Sequence, residues 1–210
     1  MKKNDISIEM KRLVFVFACL AAVCLSVQGQ EAGKVLDKTA ATLKAAGNTK
    51  IGFTYEANGA SSTGYIKLQG HKFVVNMAGR ITWFNGKTMW SYIKKNEEVN
   101  VTTPTAEEVA KMNPYAFLTF YKHGYTARMG NSSAKEDEVV LTGEESSAYK
   151  WVVIRVNKST HLPSSIQLTT TKGATTVIHC NSFLKNQKYQ ASTFQFNKKN
   201  YPKAEIVDLR

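Results

Sequence analysis

Residues 80–93 have the sequence Arg-Ile-Thr-Trp-Phe-Asn-Gly-Lys-Thr-Met-Trp-Ser-Tyr-Ile, and this stretch decides the fold. Two aromatic, β-prone runs flank Asn85-Gly86, a dipeptide suited to a type I′ turn because both central residues of that turn have positive φ. The pattern predicts a β-hairpin. Its large aromatic side chains are Trp83, Phe84, Trp90 and Tyr92. No catalytic group accompanies them, so the hairpin belongs either to the core or to the wall of a binding site.

The first 29 residues resemble a secretory signal peptide. Lys11-Arg12 precedes an apolar run over residues 13–27, which is shorter than the ~20 residues that a membrane-spanning helix needs. Neither cysteine in this run, Cys19 or Cys24, has the sequence context of a lipid-attachment site. We therefore expect residues 1–29 to be a cleaved signal peptide and the remaining protein to be soluble in the periplasm.

Residues 30–210 suit a single domain with a sizeable core. Their only cysteine is Cys180, so no internal disulfide can form, and its strand-like neighbours favour a buried, apolar role for it. The net charge of the whole chain is +12. Four basic and two acidic residues of the leader contribute +2 of this charge, which leaves +10. Such a charge favours attraction to anionic surfaces, but the scattered lysines and the lack of a basic helix argue against nucleic acid as the partner.

The spacing of apolar residues changes from helical to strand-like after residue 46. Residues 31–46 have the pattern of an amphipathic helix, and Gly47-Asn48 favours a cap at its end. Short alternating runs separated by Gly, Asn and Ser follow, which is typical of an antiparallel meander. We predict roughly ten strands: 51–55, 65–69, 73–77, two in the 80–93 hairpin, 98–102, 138–142, 149–157, 164–171 and 175–181.

A helical interlude separates two groups of these strands. Thr105 and Glu108 have the spacing of a capping box, which predicts a short helix over 107–112. A second helix, over 115–122, is unusually apolar for its length. We interpret it as a lid over an apolar face of the sheet. The lid residues would be Phe117, Leu118 and Phe120.

The chain has no recognisable catalytic or metal-binding pattern. Its histidines are far apart and lack metal-ligand spacing, and its carboxylates occur in short runs typical of loops and helix starts. The four histidines are His71, His123, His161 and His179. There is neither a nucleotide-binding glycine loop nor a Gly-x-Ser-x-Gly motif. We therefore expect no enzyme activity, no metal and no cofactor.

Aromatic residues are more abundant than catalysis would need: nine Tyr, ten Phe and three Trp. Because they alternate with polar residues along the strands, one face of the sheet should be apolar. Two arrangements fit this pattern. Helices could cover that face as an ordinary α+β core, which the pattern alone favours, or a curved sheet and its helices could enclose an apolar cavity.

Several segments match one family in order and spacing. Phe53-Thr-Tyr, Gly64-Tyr-Ile-Lys-Leu and Phe73-Val-Val are similar to F-x-Q, G-x-L-x-L and F-x-W in its early strands. Residues 85–92 are similar to its D/N-G-K-x-L-W-x-Y hairpin, and residues 194–208 to its F-x-F…P-x-G-V-x-V-I/V-D ending. Asn113-Pro to Leu118 and Leu162-Pro163 add a helix and a turn of the same pattern. These motifs resemble the periplasmic lipoprotein carrier family, LolA.

The resemblance implies an α+β fold, in which a strongly curved antiparallel β-sheet forms an incomplete barrel closed by helices. It also implies a carrier that takes acylated lipoproteins from an inner-membrane ABC exporter and brings them to the outer membrane, where an acceptor would receive them. We expect such a carrier to be a monomer. The resemblance implies that a basic residue ties the lid closed in proteobacterial members, but Gln69-Gly70 stand here in place of that residue and the proline after it, so this means of closing the lid does not carry over to the present chain.

The side chains expected to line the lipid-binding cavity come from alternate positions of the predicted strands. They are Phe53, Tyr55, Ile66, Leu68, Phe73, Val75, Met77, Trp90, Tyr92, Trp151 and Ile166. A slip of one residue in the register would exchange them for their neighbours. Two other functions fit the same chain. One is a sensor that binds lipoproteins without carrying them, and the other is an envelope hydrolase, which would need a clustered catalytic site.

Overall fold

The computed structural model describes residues 29–105, 108–109 and 122–210. The expected signal peptide therefore lies outside the described residues, apart from Gly29. Most of the helical interlude lies outside them as well, including the predicted lid residues Phe117, Leu118 and Phe120. Within the described ranges, no helix is both long and apolar enough to cross a membrane.

Helix α1 spans residues 29–45, close to the predicted 31–46. It ends where Gly47 adopts a φ of +64°, and the amide of Ala46 donates to the carbonyl oxygen of Leu43 at 3.3 Å. A glycine with positive φ just beyond a helix is a common way to end it, because the missing Cβ removes the steric penalty. The predicted cap is confirmed.

Twelve strands form one sheet in the order β12-β6-β5-β4-β3-β2-β1-β11-β10-β9-β8-β7. Their bounds are β1 Thr49–Ala57, β2 Ala60–Gln69, β3 Lys72–Met77, β4 Arg80–Phe84, β5 Met89–Ile93, β6 Glu98–Thr102, β7 Tyr125–Met129, β8 Glu136–Gly143, β9 Tyr149–Asn157, β10 Pro163–Thr170, β11 Thr175–Leu184 and β12 Glu205–Asp208. The ten predicted strands are all present. The structure adds β7 and β12, and β12 pairs with β6 in parallel, unlike the antiparallel pairs elsewhere in the sheet.

The hairpin over 80–93 is present, but its turn is not the predicted one. Gly86 has a φ of +99°, whereas Asn85 is not in the positive-φ region, so this is not a type I′ turn. The loop instead spans residues 85–88, and the side-chain oxygen of Asn85 accepts from the amides of Lys87 and Thr88 at 2.9 and 2.8 Å. Asn and Asp side chains often form such local turns. The hydrogen bonds of the Asn85 side chain therefore favour a four-residue loop over the predicted two-residue turn.

The sheet is strongly curved and open. Helix α1 packs on one face, here called the helix face. Residues 185–204, here called the C-terminal strap, contribute Tyr189, Phe194, Phe196, Tyr201 and Ala204 to a cluster on the opposite face, called the outer face. Closure of the barrel by a second α-helix stays a prediction, because α1 is the one α-helix that the described residues contain at full length; two short 3-10 helices, Ala191–Phe194 and Lys198–Asn200, lie in the strap.

Candidate functional site

The helix face begins with a closed apolar cluster beneath α1. Ala32, Leu36 and Leu43 of the helix are 0–4% exposed and lie against strands β8, β9 and β10. Their buried strand partners are Val139, Leu141, Val152, Ile154, Val156 and Ile166. Burying side chains of this size contributes ~1.5–3 kcal/mol each. This half of the face is therefore ordinary core.

A second apolar cluster continues the helix face across strands β1 to β5. Its buried members are Ile51, Leu68, Phe73, Phe84 and Met89. The two clusters are continuous because Phe183 of β11 packs against both. Ile66 and Val75 pack at the border of the second cluster and stay half-buried. No part of α1 belongs to this cluster.

Phe53 lies on the helix face with its ring over Gly64. A Cβ atom added at Gly64 would lie 2.7 Å from Cζ of Phe53, so only glycine leaves room for the ring there. Cys180 is paired with Phe53 across β1 and β11. Burial raises the pKa of the Cys180 thiol to about 11. The expectation of a buried, apolar cysteine fits this placement, although its side chain keeps some exposure.

The helix face becomes polar toward β6 along one row of paired residues. Ile66 and Val75 are followed by Thr82, Ser91 and Asn100 on successive strands. The hydroxyl oxygens of Thr82 and Ser91 lie 3.3 Å apart, within hydrogen-bond distance. The neighbouring row of Leu68, Phe73, Phe84 and Met89 stays apolar as far as β5. A ligand on this face would therefore meet an apolar strip with a hydroxyl-bearing border.

The chain enters the helical interlude next to this strip. The amide of Thr105 donates to Oε2 of Glu108 at 2.8 Å, and the amide of Glu108 donates to Oγ1 of Thr105 at 3.3 Å. These reciprocal bonds confirm the predicted capping box. Val109, one residue later, packs against the cluster that contains Phe73 and Phe84. The segment that carries the predicted lid thus starts in contact with the helix face.

Most of the predicted cavity-wall residues share the helix face. Directly paired residues of an antiparallel sheet lie on one face, and successive residues alternate between faces. By this register the helix face includes Phe53, Tyr55, Ile66, Leu68, Phe73, Val75, Met77 and Ile166.

Trp90, Tyr92 and Trp151 do not join them, which corrects their predicted place in the wall. Trp90 is paired with Trp83, and both lie on the outer face. Tyr92 is buried there, with its ring centroid 4.7 Å from that of Tyr201. Trp151 lies on the opposite side of β9 from the buried Val152 and is 43% exposed. Each of the three is one residue out of phase with the helix face.

Sequence reasoning missed several residues of the site. Phe84, Met89 and Phe183 belong to the apolar clusters, and Phe84 and Met89 could have been found by following the alternation from Phe73 through the hairpin. Ser62, paired with Tyr55, has a buried hydroxyl oxygen with no hydrogen-bond partner among the residues that the structure describes. No sequence signal pointed to it.

The described residues offer apolar contact rather than reactive groups. Within them, no three His, Cys, Asp or Glu side chains are grouped so that they could hold a metal ion. The strongly shifted pKa of Cys180 favours the unreactive thiol. The arrangement is suited to binding apolar molecules.

Residues 23–174 match the family described as outer membrane lipoprotein carrier protein LolA. The chain belongs to this family. A crystal structure of an uncharacterized conserved protein from Thermus thermophilus has a TM-score of 0.59 to this chain, at 11% identity, and covers 85% of this chain and 99% of that one. At that identity the likeness shows the fold alone. No similar sequence was found among curated proteins.

Two further solved structures have lower scores. A LolA superfamily protein from Nitrosomonas europaea has a TM-score of 0.40 at 14% identity, over 79% of this chain and 97% of that one. The lipoprotein LppX from Mycobacterium tuberculosis has a TM-score of 0.46 at 8% identity, over 77% and 98%. Neither adds to what family membership establishes.

Proposed function

We propose that this LolA-family protein is a periplasmic carrier that sheathes the acyl chains of lipoproteins and shuttles them from the inner to the outer membrane. The observation that carries the proposal is the apolar strip of the helix face over β1 to β5. It is continuous with the core, but α1 does not cover it. The membership of the chain in a lipoprotein-carrier family makes acyl chains the natural occupant.

The physical need for a sheath follows from the cargo. Each methylene group transferred from water to an apolar site contributes ~0.8 kcal/mol, so a lipoprotein with several acyl chains is very insoluble without cover. Leu68, Phe73, Phe84 and Met89 would provide the apolar contact. The hydroxyl groups of Thr82 and Ser91 would lie at the border of the chains.

The lid would be the part of the helical interlude that follows Val109. In the empty carrier Phe117, Leu118 and Phe120 would lie against the apolar strip, and cargo would displace them. Apolar contacts of the lid are then exchanged for apolar contacts of the cargo, so neither state is overwhelmingly favoured. Such a balance allows both uptake and release.

The route of the cargo follows from the same proposal. After cleavage of residues 1–29, the protein would work in the periplasm as a monomer. It would receive lipoproteins from an inner-membrane ABC exporter and deliver them to the outer membrane or to an acceptor there. No catalytic step is needed, because transfer only moves acyl chains between apolar environments.

Native mass spectrometry of the protein recovered from cells tests the proposal. We expect adducts with the mass of acylated lipoproteins. A matched pair of variants tests on which face of the sheet the acyl chains bind. Val75→Trp fills the helix face, whereas Asn76→Trp adds the same bulk on the outer face, and both native residues are half-buried. Val75→Trp should abolish the adducts and Asn76→Trp should keep them, with thermal unfolding showing that both variants fold.

Transfer of labelled lipoprotein from carrier to outer-membrane vesicles then separates a carrier from a sensor. A carrier releases its cargo to the vesicles, whereas a sensor binds lipoprotein without transfer. Recovery of the protein without any acylated adduct would contradict the proposal.

A further inference from the structure

Two lysines lie directly opposite each other on the outer face, near one end of the two middle strands of the sheet. Lys50 of β1 is paired with Lys67 of β2, and their Nζ atoms lie 5.2 and 5.5 Å from the ring centroid of Tyr65. Like charges directly opposite each other on neighbouring strands are destabilising. The tyrosine ring offsets part of this repulsion through cation–π contact, but it supplies no negative charge.

The strands on either side of this pair bring no carboxylate close to it. Strands β2, β3, β10 and β11 contain no Asp or Glu, and the one in β1 is Glu56. Glu56 lies six residues from Lys50, roughly 20 Å along the strand. Among the described residues, no ion pair involves Lys50 or Lys67. The two charges are thus not neutralised by a carboxylate in the described part of the chain.

Aromatic and apolar groups border the same lysines. Lys67 also lies over the ring of Tyr189, with Nζ 5.9 Å from its centroid. The hydroxyl of Tyr189 donates to the carbonyl oxygen of Thr49 at 2.9 Å, which fixes the ring in place. Leu184, paired with Lys50 on β11, is 48% exposed.

We call the whole group the lysine patch. It consists of Lys50, Lys67, Tyr65, Tyr189 and Leu184.

We propose that the lysine patch docks the protein on an anionic phospholipid surface. Clustered lysines are attracted to anionic headgroups. Tyrosine places its ring at the boundary between headgroups and acyl chains, and an exposed leucine can enter that boundary. An acidic protein would satisfy the charge but would leave the exposed Leu184 unexplained. The patch lies on the face opposite to the proposed acyl site, so docking goes beyond the carrier function and does not occupy the site.

Co-sedimentation with vesicles tests this inference. The lipid-free protein is mixed with phosphatidylcholine vesicles or with vesicles containing about a third phosphatidylglycerol. We expect binding to the anionic vesicles that falls with added salt and little binding to the neutral ones. Uptake of a phospholipid by the acyl site alone would not distinguish the two vesicle types.

Matched double variants locate the contact. Lys50→Gln/Lys67→Gln should lower the vesicle partition coefficient at least about tenfold. Lys172→Gln/Lys203→Gln removes the same charge from exposed positions outside the patch and should lower it less than about threefold. Lys50→Arg/Lys67→Arg, which keeps the charge, should bind as the native protein does.

Equal loss in the two glutamine variants would overturn the proposal, and so would equal binding to neutral and anionic vesicles. Thermal unfolding confirms that the variants fold, since removing like charges should not destabilise the sheet. Binding of a fluorescent fatty acid should be unchanged in all variants. If the native protein itself did not bind the fatty acid, this would count against the carrier function but not against docking.

Discussion

Adjacent residues of strand β4 enter two different environments. Phe84 lies on the helix face next to Phe73, with ring centroids 5.3 Å apart. Trp83 lies on the outer face beneath the C-terminal strap, with ring centroids 5.8 and 5.6 Å from those of Phe196 and Tyr201. The strap closes its cluster from within the chain and buries Phe194 completely. The outer cluster is therefore a permanent core.

The helix face over β1 to β5 is built differently. Its border residues Ile66 and Val75 stay half-buried, and Val109, at the start of the helical interlude, packs against it. We propose that this strip is an exchangeable surface, covered in turn by lid and cargo. One set of strands would then support a fixed core on one side and a binding surface on the other.

The largest expected effect comes from truncating the permanent core. Trp83→Ala should lower the free energy of unfolding by ~3–5 kcal/mol, whereas the folded fraction should bind a fluorescent fatty acid as before. Met89→Ala, on the helix face, should cost less, ~2 kcal/mol, and should weaken binding by about tenfold. Urea unfolding and fluorescence titration measure the two quantities. The reverse pattern would mean that the two faces have been assigned the wrong roles.

A smaller effect is expected from adding one methyl group at either of two glycines. At Gly64 a Cβ would lie 2.5 Å from the backbone oxygen of Asn76 and 2.7 Å from the ring of Phe53. At Gly52 it would meet only the side chain of Ser182, at 2.6 Å from its hydroxyl oxygen. A hydroxyl can rotate away, but a backbone oxygen cannot.

Gly64→Ala should therefore destabilise the protein by ~1–3 kcal/mol and weaken fatty-acid binding, because Phe53 must move. Gly52→Ala should cost less and leave binding unchanged. Thermal unfolding and fluorescence titration of the two variants check this. Equal losses of stability and of binding in both variants would show that the added methyl group acts through crowding alone, whichever face of the sheet it lies on.

The capping box allows a weaker test at the start of the lid segment. Thr105→Ala removes the hydroxyl that accepts from the amide of Glu108 and should destabilise this helix start by ~1 kcal/mol. Hydrogen exchange at residues 108 and 109 should become faster, with little change in the melting temperature. Glu108→Gln keeps the reciprocal bond and should exchange almost as the native protein does. Unchanged exchange in Thr105→Ala would show that the cap does not hold this segment.

The last effect is confined to alkaline pH and concerns Cys180. Its folded pKa, about 11, lies above its ordinary value of 9.0. The thiol therefore stabilises the folded state below pH 9, and this contribution is lost as the pH rises from 9 toward 11. Between about pH 8.5 and 10.5, a range chosen to follow this shift, the native protein should lose more thermal stability than Cys180→Ala does. Equal losses of thermal stability in the two proteins would mean that the thiol is exposed to solvent in the folded state.

The hairpin shows how far sequence alone predicts this fold. Alternation in β4 and β5 correctly predicted both strands, since the period of two is a property of each strand by itself. It did not relate the phase of one strand to that of the next, which depends on loop length. The four-residue loop at Asn85 replaced the expected two-residue turn but did not change this phase, because the two loops differ by two residues. Trp90 was assigned to the wrong face because the phase of β4 was not followed through the loop into β5.

The two edge strands, β7 and β12, were not predicted from the sequence. Tyr125–Met129 is five residues long and contains Arg128, so its alternation was easily overlooked. Glu205–Asp208 is shorter still and pairs in parallel with β6, far from it in sequence. Pairing between such distant segments has no local signature. The capping box at Thr105, by contrast, involves contacts three residues apart and was predicted at the residues where it occurs.

Photo-cross-linking from neighbouring positions of β3 tests the central claim most directly. A benzophenone side chain is introduced at residue 75, on the helix face, or at residue 76, on the outer face, and each protein is irradiated with a triacylated lipopeptide. The account predicts that the acyl chains are cross-linked from residue 75 and not from residue 76. Cross-linking from residue 76 alone, or equally from both, would contradict the assignment of the helix face as the acyl-binding site.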